Sequence, residues 1–342
     1  MGMELSAREM MEKLISFPSV SNVSNLPIID FIEEYLNSHG VECHRVYNPA
    51  GDKANLYANA GPAVDGGVIL SGHTDVVPVV GQDWDTDPFK VVEKDGKLYG
   101  RGTCDMKGFD AIALTAVPKA LKRGIKRPIQ IAMSYDEEVG CIGAPFMAAE
   151  MAKLMPKASA AIIGEPSMMK AVSGHKGGLG IKTHVRGFEV HSSLQHIGVS
   201  AIHEAAKLIE WANQMNIQNE LLDRSEATSM FTPPWTTVHV GTIEGGTANN
   251  ITAKDCHFVM GFRVIPNERA TDWKQAYESK VREVEAAMKK INPDSFIKLD
   301  AAHDVPGLRP EDDGAAEALV RKLTGDNGQH VVSRNRSRAV PS

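Results

Sequence analysis

The sequence predicts an α/β protein: a mainly parallel sheet with helices on both faces, interrupted by an inserted α+β domain of ferredoxin-like pattern. Three observations predict it. Short apolar runs, "GGVIL", "PIQIAMS" and "ASAAIIG", alternate with helical patterns, as parallel strands covered on both sides do. From about His175 the order becomes strand, helix, two strands, helix, strand, which is the split βαβ arrangement. Beyond it, "PEDDGAAEALVRKLTG" resumes a helix of the first domain. The expected division is therefore residues 1–174 and 294–342 against an insertion at 175–293. A length of 342 residues suits two domains.

The elements follow in order. Ser6 and Glu9 form a capping box, S-A-R-E, ahead of apolar residues at helical spacing. Asn25 opens a second helix, with Pro27 in its first turn and Gly40 just past its end. Residues 41–47 and 54–58 read as short strands. Val68, Ile69 and Leu70 read as a buried strand that runs into "SGHTDVVP". Asp105 stands where the next helix should begin. Phe109, Ile112, Ala116 and Leu121 mark that helix's apolar face, Gly124 closes it, and Pro118 should kink it. In the insertion, "GIKTHVRG", "TTVHVGTIEGG", "KDCHFVMGFRVI" and "FIKLDAA" read as strands. "SAIHEAAKLIEWANQ" and the charged "ATDWKQAYESKVREVEAAMKK" read as helices.

Composition excludes several roles. The chain is 42% hydrophobic and 23% charged, ordinary for a globular protein with a large core, and its formal net charge of -6 argues against nucleic acid or an anionic membrane as partner. There is no 18-residue apolar run, and the start reads as a capped amphipathic helix, not a signal peptide. Cys43, Cys104, Cys141 and Cys256 are scattered and never form CxxC, which fits reduced thiols in a cytoplasm.

The chemistry gathers at strand ends. In open parallel sheets functional groups collect beyond the carboxyl ends of the strands. Here three such ends carry His73, Glu137–Glu138 and Glu165, and Asp105 sits at a helix start. Carboxylates packed together raise one another's pKa unless a cation neutralises them. One imidazole with several carboxylates suits zinc or a similar divalent ion, and the carboxylate excess suits two ions sharing a bridge. Each residue alone has a bland reading: a structural histidine, a solvated acidic turn, an N-cap aspartate. Three coincidences at one sheet edge favour the metal. Other motifs are weaker. "HEAAK" at His203 lacks the second histidine of a zincin, "GHKGGLG" lacks the surroundings of a dinucleotide loop, and Cys104 has no paired base.

"SGHTDVVP", "LYGRGTCDMKG", "DEEVGCIGA" and "GEP" resemble the successive signatures of the two-zinc amidohydrolase and peptidase family, over nearly the whole chain to about Ser333. "SGHTDVVPVVGQDW", "TDPF" and "RGTCDMKGF" are similar to its acetylornithine deacetylase branch. The resemblance implies a zinc peptidase-like fold and two zinc ions per subunit, with cobalt as a substitute. His73 and Glu165 would hold the first ion, Glu138 the second, and Asp105 would bridge them. Asp75 would fix the imidazole and Glu137 would be the general base. It further implies an oxyanion role for His191 of "EVHSS", reaching into a partner subunit, and substrate contacts from Asn250 of "NNIT" and Arg263 of "FRVIPN". A homodimer through the inserted lid domain would hydrolyse N2-acetyl-L-ornithine to L-ornithine and acetate in arginine biosynthesis. The residues leave open another N-acyl-amino-acid deacylase or dipeptidase, such as a succinyl-diaminopimelate desuccinylase, and a non-catalytic homologue.

The end of the chain departs from the family, whose members continue past "VVS" and supply one more histidine to the second metal. This chain reads "VVSRNRSRAVPS". One choice of codons for 334–341, read in a shifted frame, encodes Gly-Thr-Glu-Ala-Gly-Gln-Phe, which is similar to the family there. The expectation is that the last nine residues are out of frame, which would weaken the second metal site and remove the sheet's final strand and helix.

Overall fold

The computed structural model describes residues 2–311, 314–328 and 330–332. The expected out-of-frame tail, 334–342, lies outside the described residues. The chain forms two compact units. The first opens with α1 (Ala7–Ile15) and α2 (Leu26–Ser38), then β1 (Cys43–Tyr47), β2 (Ala54–Ala60) and β3 (Val68–His73). A hairpin, β4 (Val92–Lys94) and β5 (Lys97–Tyr99), precedes α3 (Lys107–Lys122), β6 (Ile129–Ser134), α4 (Ala144–Leu154) and β7 (Ala160–Ile163). The second unit holds β8 (Val172–His175), β9 (Gly177–Arg186), α5 (Ala201–Leu221), α6 (Glu226–Ser229), β10 (Thr237–Gly245), β11 (Asp255–Val264), α7 (Ala270–Ile291) and β12 (Phe296–Val305). Helix α8 (Ala315–Thr324) belongs to the first unit again, and β13 (His330–Val332) pairs with β8 in the second.

The first sheet has the order β1-β2-β6-β3-β7. Strand β3 runs parallel to β6 and to β7, while β1 and β2 form the antiparallel edge. Side chains on a strand alternate between faces, and the two faces are covered differently. Leu56, Ala58, Ile131 and Met133 pack with α1, α2 and α3 in the main core. Tyr57 and Ala132 point the other way, against Met147 and Met151 of α4. Burial on both faces explains why "PIQIAMS" reads as an unbroken apolar run. The capping box of α1 is present as expected, with Ser6 and Glu9 satisfying each other's backbone N–H. Asn25 instead leaves its helix uncapped. Its amide donates to the Ala54 carbonyl at 2.9 Å and to Thr74 Oγ1 at 3.0 Å, and its Oδ1 accepts the Ala54 N–H, so α2 is tied to β2. Helix α3 runs unbroken through Pro118.

In the second unit the sheet order β10-β11-β9-β12 is antiparallel throughout, with α5 and α7 on one face. Its first and third strands in sequence, β9 and β11, lie in the middle, as in ferredoxin-like folds. Phe258, Met260 and Phe262 of β11 and Ile181 and Val185 of β9 meet Leu208, Tyr277 and Val281 of the helices. The boundary expected at 293/294 is corrected: it falls before β12, which hydrogen-bonds along β9 from Phe296 to Val305 and so belongs to the inserted unit. No helix among the described residues is long and apolar enough to cross a membrane.

Candidate metal centre

Register places the three strand ends level. His73 lies opposite Ser134 of β6, and Ser71 opposite Ile163 of β7. The residues just beyond, Glu137 and Glu138 on one side and Glu165 on the other, therefore leave the sheet at the edge where β3 delivers His73. The imidazole is 1% exposed. Its Nε2 stands 3.1 Å from Asp105 Oδ1, 3.6 Å from Glu165 Oε1 and 3.8 Å from Glu137 Oε2. Asp105 reaches it because α3 starts two residues later than expected, at Lys107. With Met106 at the N-cap position, the Asp105 carboxylate faces the imidazole and is not spent on the helix. Glycine at 164 is what the approach of α3 requires, since the Phe109 ring occupies the place a Cβ would take beside Glu165.

Asp75 is tied to both strand ends. The main-chain oxygen of Asp75 meets His73 Nδ1 at 2.8 Å, and one carboxylate oxygen stands 3.5 Å from the same nitrogen. The carboxylate also accepts the Glu137 N–H at 3.0 Å, the Glu138 N–H at 3.2 Å and the Ser21 hydroxyl at 2.7 Å. Asp75 thus holds the acidic turn as well as the imidazole. The turn has a second anchor, which sequence reading missed. Asp136 adopts a φ of +51°, accepts the Asn22 N–H at 3.0 Å and meets the Lys53 ammonium. Lys53 follows "AGD" and reads as a solvated loop residue; nothing in its neighbourhood signals burial.

Charge is concentrated here. Burial, then the nearby Asp105 carboxylate, pushes Glu138 up to about 8. Burial, more than the neighbouring acids, pushes Glu165 up to about 8, and burial also raises Glu137. Burial alone would lower His73, but hydrogen bonds to Asp105 and Asp75 reverse this and hold it well above its usual value. Glu137 Oε2, Glu138 Oε2 and Glu165 Oε2 are buried with no hydrogen bond. Unpartnered buried carboxylate oxygens are costly. Two groups of donors, His73–Asp105–Glu138 and His73–Glu137–Glu165, each have ligand atoms within 4.8 Å of one another. One imidazole among converging carboxylate oxygens that lack partners fits a divalent cation. Glu137, expected beside the ions and not on them, lies within the second group.

The remaining expected residues belong to the second unit. His191 is exposed, takes the Ser193 hydroxyl on Nδ1 at 2.9 Å, and pairs through its backbone with Ile251. Asn250, next to Ile251 in the chain, is exposed, and its main-chain carbonyl accepts the Ser192 N–H at 2.8 Å, so these two share one loop cluster. Arg263 sits near the far end of β11, exposed and lying over Gly178. Eight residues of extended chain separate it from Asp255, about 26 Å. Arg263 therefore stands at the end of β11 away from the loop that carries Asn250.

Fold and site together define an α/β metallohydrolase. Residues 69–332 match the sequence profile of Peptidase family M20/M25/M40, and the chain belongs to that family. It is 33% identical to an acetylornithine deacetylase from Pasteurella multocida (strain Pm70), over 94% of this chain and 84% of that relative. It is equally 33% identical to an acetylornithine deacetylase from Myxococcus xanthus, over 92% and 83%. Among solved structures, an M20 family metallo-carboxypeptidase from Sulfolobus solfataricus is similar in fold, with a TM-score of 0.73 at 17% identity, covering 96% of this chain and 86% of that one. A tripeptidase from Staphylococcus aureus gives 0.69 at 19%, covering 95% and 83%. The chain is accordingly a hydrolase, a metal-dependent amidohydrolase by family and by site.

Proposed function

We propose that the chain hydrolyses N2-acetyl-L-ornithine to L-ornithine and acetate, a step of arginine biosynthesis, as a cytoplasmic homodimer using zinc or cobalt. The relatives carrying that name support the substrate. The observation that carries the chemistry is the convergence of Asp105, Glu165 and Glu137 on one nitrogen of His73. In this reading His73, Asp105 and Glu165 would hold one ion, and Asp105 and Glu138 a second. Divalent ions held there would polarise the acetamide carbonyl and make water more acidic.

Glu137 is the general base. Its Oε1 takes the Cys141 thiol at 3.4 Å, its Oε2 carries no hydrogen bond, and burial lifts its pKa toward the working range of a base at neutral pH. It removes a proton from water as oxygen bonds to the acyl carbon. It returns that proton to the amine nitrogen as the C–N bond breaks. Asp75, bonded to the Glu137 N–H, keeps the base aimed. His191 donates to the developing oxyanion, Asn250 binds substrate, and Arg263 grips the α-carboxylate through two N–H donors. The loop that carries Asn250 precedes β11, whereas Arg263 stands near the strand's other end. This favours a second copy supplying that loop through the inserted domain, which then also serves as a lid.

Metal analysis with assays on N-acetylornithine and N-succinyl-diaminopimelate tests the reading. Bound metal with deacetylation of the first substrate is the expected result. Turnover of the succinyl substrate alone would make the chain a desuccinylase. Metal binding without turnover of either would make it a non-catalytic homologue.

A further inference from the structure

On the sheet of the second unit, alternate residues face away from α5 and α7. Leu179, Ile181 and Val185 of β9 and Cys256 and Phe258 of β11 enter the core with the helices. His184 on β9 and Asp255 and His257 on β11 therefore share the opposite face. His257 is the register partner of His184, directly across the antiparallel pair. Their rings are stacked, with centroids 4.1 Å apart and planes 19° from parallel. Asp255, two residues before His257, comes to the same place, and His184 Nε2 meets its Oδ1 at 2.7 Å.

We infer that His184, His257 and Asp255 form a second metal site, for a first-row divalent ion such as zinc, on the open face of the inserted sheet. Each residue offers one donor atom, and the three atoms lie within 4.8 Å of one another. Two imidazoles and one carboxylate suit zinc, nickel or copper and are poor donors for magnesium or calcium.

The donors are held in advance. His184 and His257 stand on paired strands, so their separation is fixed by the ladder and not by loops. Phe296 of β12 packs its ring edge-on to His184 at 5.5 Å, restricting the imidazole. Arg186 donates to Asp255 Oδ1 at 3.0 Å and to Oδ2 at 2.8 Å, orienting the carboxylate. Partial burial would raise Asp255, but hydrogen bonds from His184 and Arg186 outweigh it and keep the group ionised, as a ligand must be. An ion entering between His184 Nε2 and Asp255 Oδ1 would take the place of that hydrogen bond, with the neutral ring carrying its one N–H on Nδ1. The partial exposure of all three residues leaves a fourth position for water. The ion would staple β9 to β11.

The test uses the full chain with its catalytic centre loaded first, then titrated with zinc. The expected result is one further ion per chain in the wild type, and affinity for that ion roughly 100-fold weaker in His257→Ala, by analogy with the loss of metal-site partners. The catalytic metal content of the variant should stay unchanged. Copper(II) added to the loaded wild type should give an electron paramagnetic resonance spectrum showing two coupled nitrogens, and one in His257→Ala. Equal affinity in both chains, or a spectrum without imidazole nitrogens, would overturn the assignment. His257 is exposed, so the variant's fold is not at stake, and Asp255→Asn gives an independent second arm with the same expected loss.

Discussion

The ammonium of Lys53 and Oδ2 of Asp136 lie 2.5 Å apart, and each residue is only 6% exposed. The pair holds the turn that sends Glu137 and Glu138 toward His73. Removing one partner leaves the other charge buried without compensation. Lys53→Met should cost about 3–5 kcal/mol of stability, the range for breaking such a pair. Urea unfolding measures it, and a loss under 1 kcal/mol would mean that water reaches Asp136.

Glu137→Gln keeps the shape of the base and removes its proton affinity. Turnover should fall by about 10²–10⁴-fold or more, with metal content unaltered. Metal analysis beside steady-state kinetics separates the cases; metal loss would show that Glu137 serves as a ligand, as its place beside His73 and Glu165 also allows.

Removing the ions should destabilise the first unit. Without a cation, four carboxylates share a buried space around one imidazole. A chelator should lower the melting temperature, and zinc should restore it. At ion concentrations of 1,000 times Kd the expected stabilisation is about 4 kcal/mol. Scanning calorimetry reads this directly, and identical melts with and without chelator would contradict a cation among these residues.

Asp110 of α3 supplies a pH dependence outside the ligand set. It is 1% exposed and neither carboxylate oxygen has a hydrogen bond. Burial, opposed by His73 and by neighbouring Lys107, pushes it up to about 7 from 3.8. The folded state therefore binds this proton more tightly than the unfolded chain, so its contribution is full below about pH 4 and lost as pH rises through about 7. The advantage of Asp110→Asn over wild type should grow by at least roughly 3 °C in melting temperature between pH 5 and pH 8 in metal-loaded protein. A constant difference across that range would show that Asp110 does not titrate there.

His73, Asp105, Glu137, Glu138 and Glu165 were legible because strands ending in polar groups announce themselves where apolar runs stop. The ferredoxin-like insertion was legible from element order alone. Its exit was not, because a strand after the last helix can close the inserted sheet or begin the host's next element, and only the register of β12 on β9 decides. Lys53, Asn22 and Ser21 were hidden for another reason. They lie in segments far from the acidic turn in sequence, and only the folded chain brings their hydrogen bonds to it. The His184–His257 pair needs a strand register that alternation of apolar residues does not specify.

His175 and Leu308, near the two ends of the inserted unit, exchange both backbone hydrogen bonds, at 3.0 and 2.9 Å. The chain that leads into β9 and the chain that leaves β12 are thus tied side by side. A segment whose ends are tied together in this way can be lengthened, shortened or exchanged by recombination without rethreading its host.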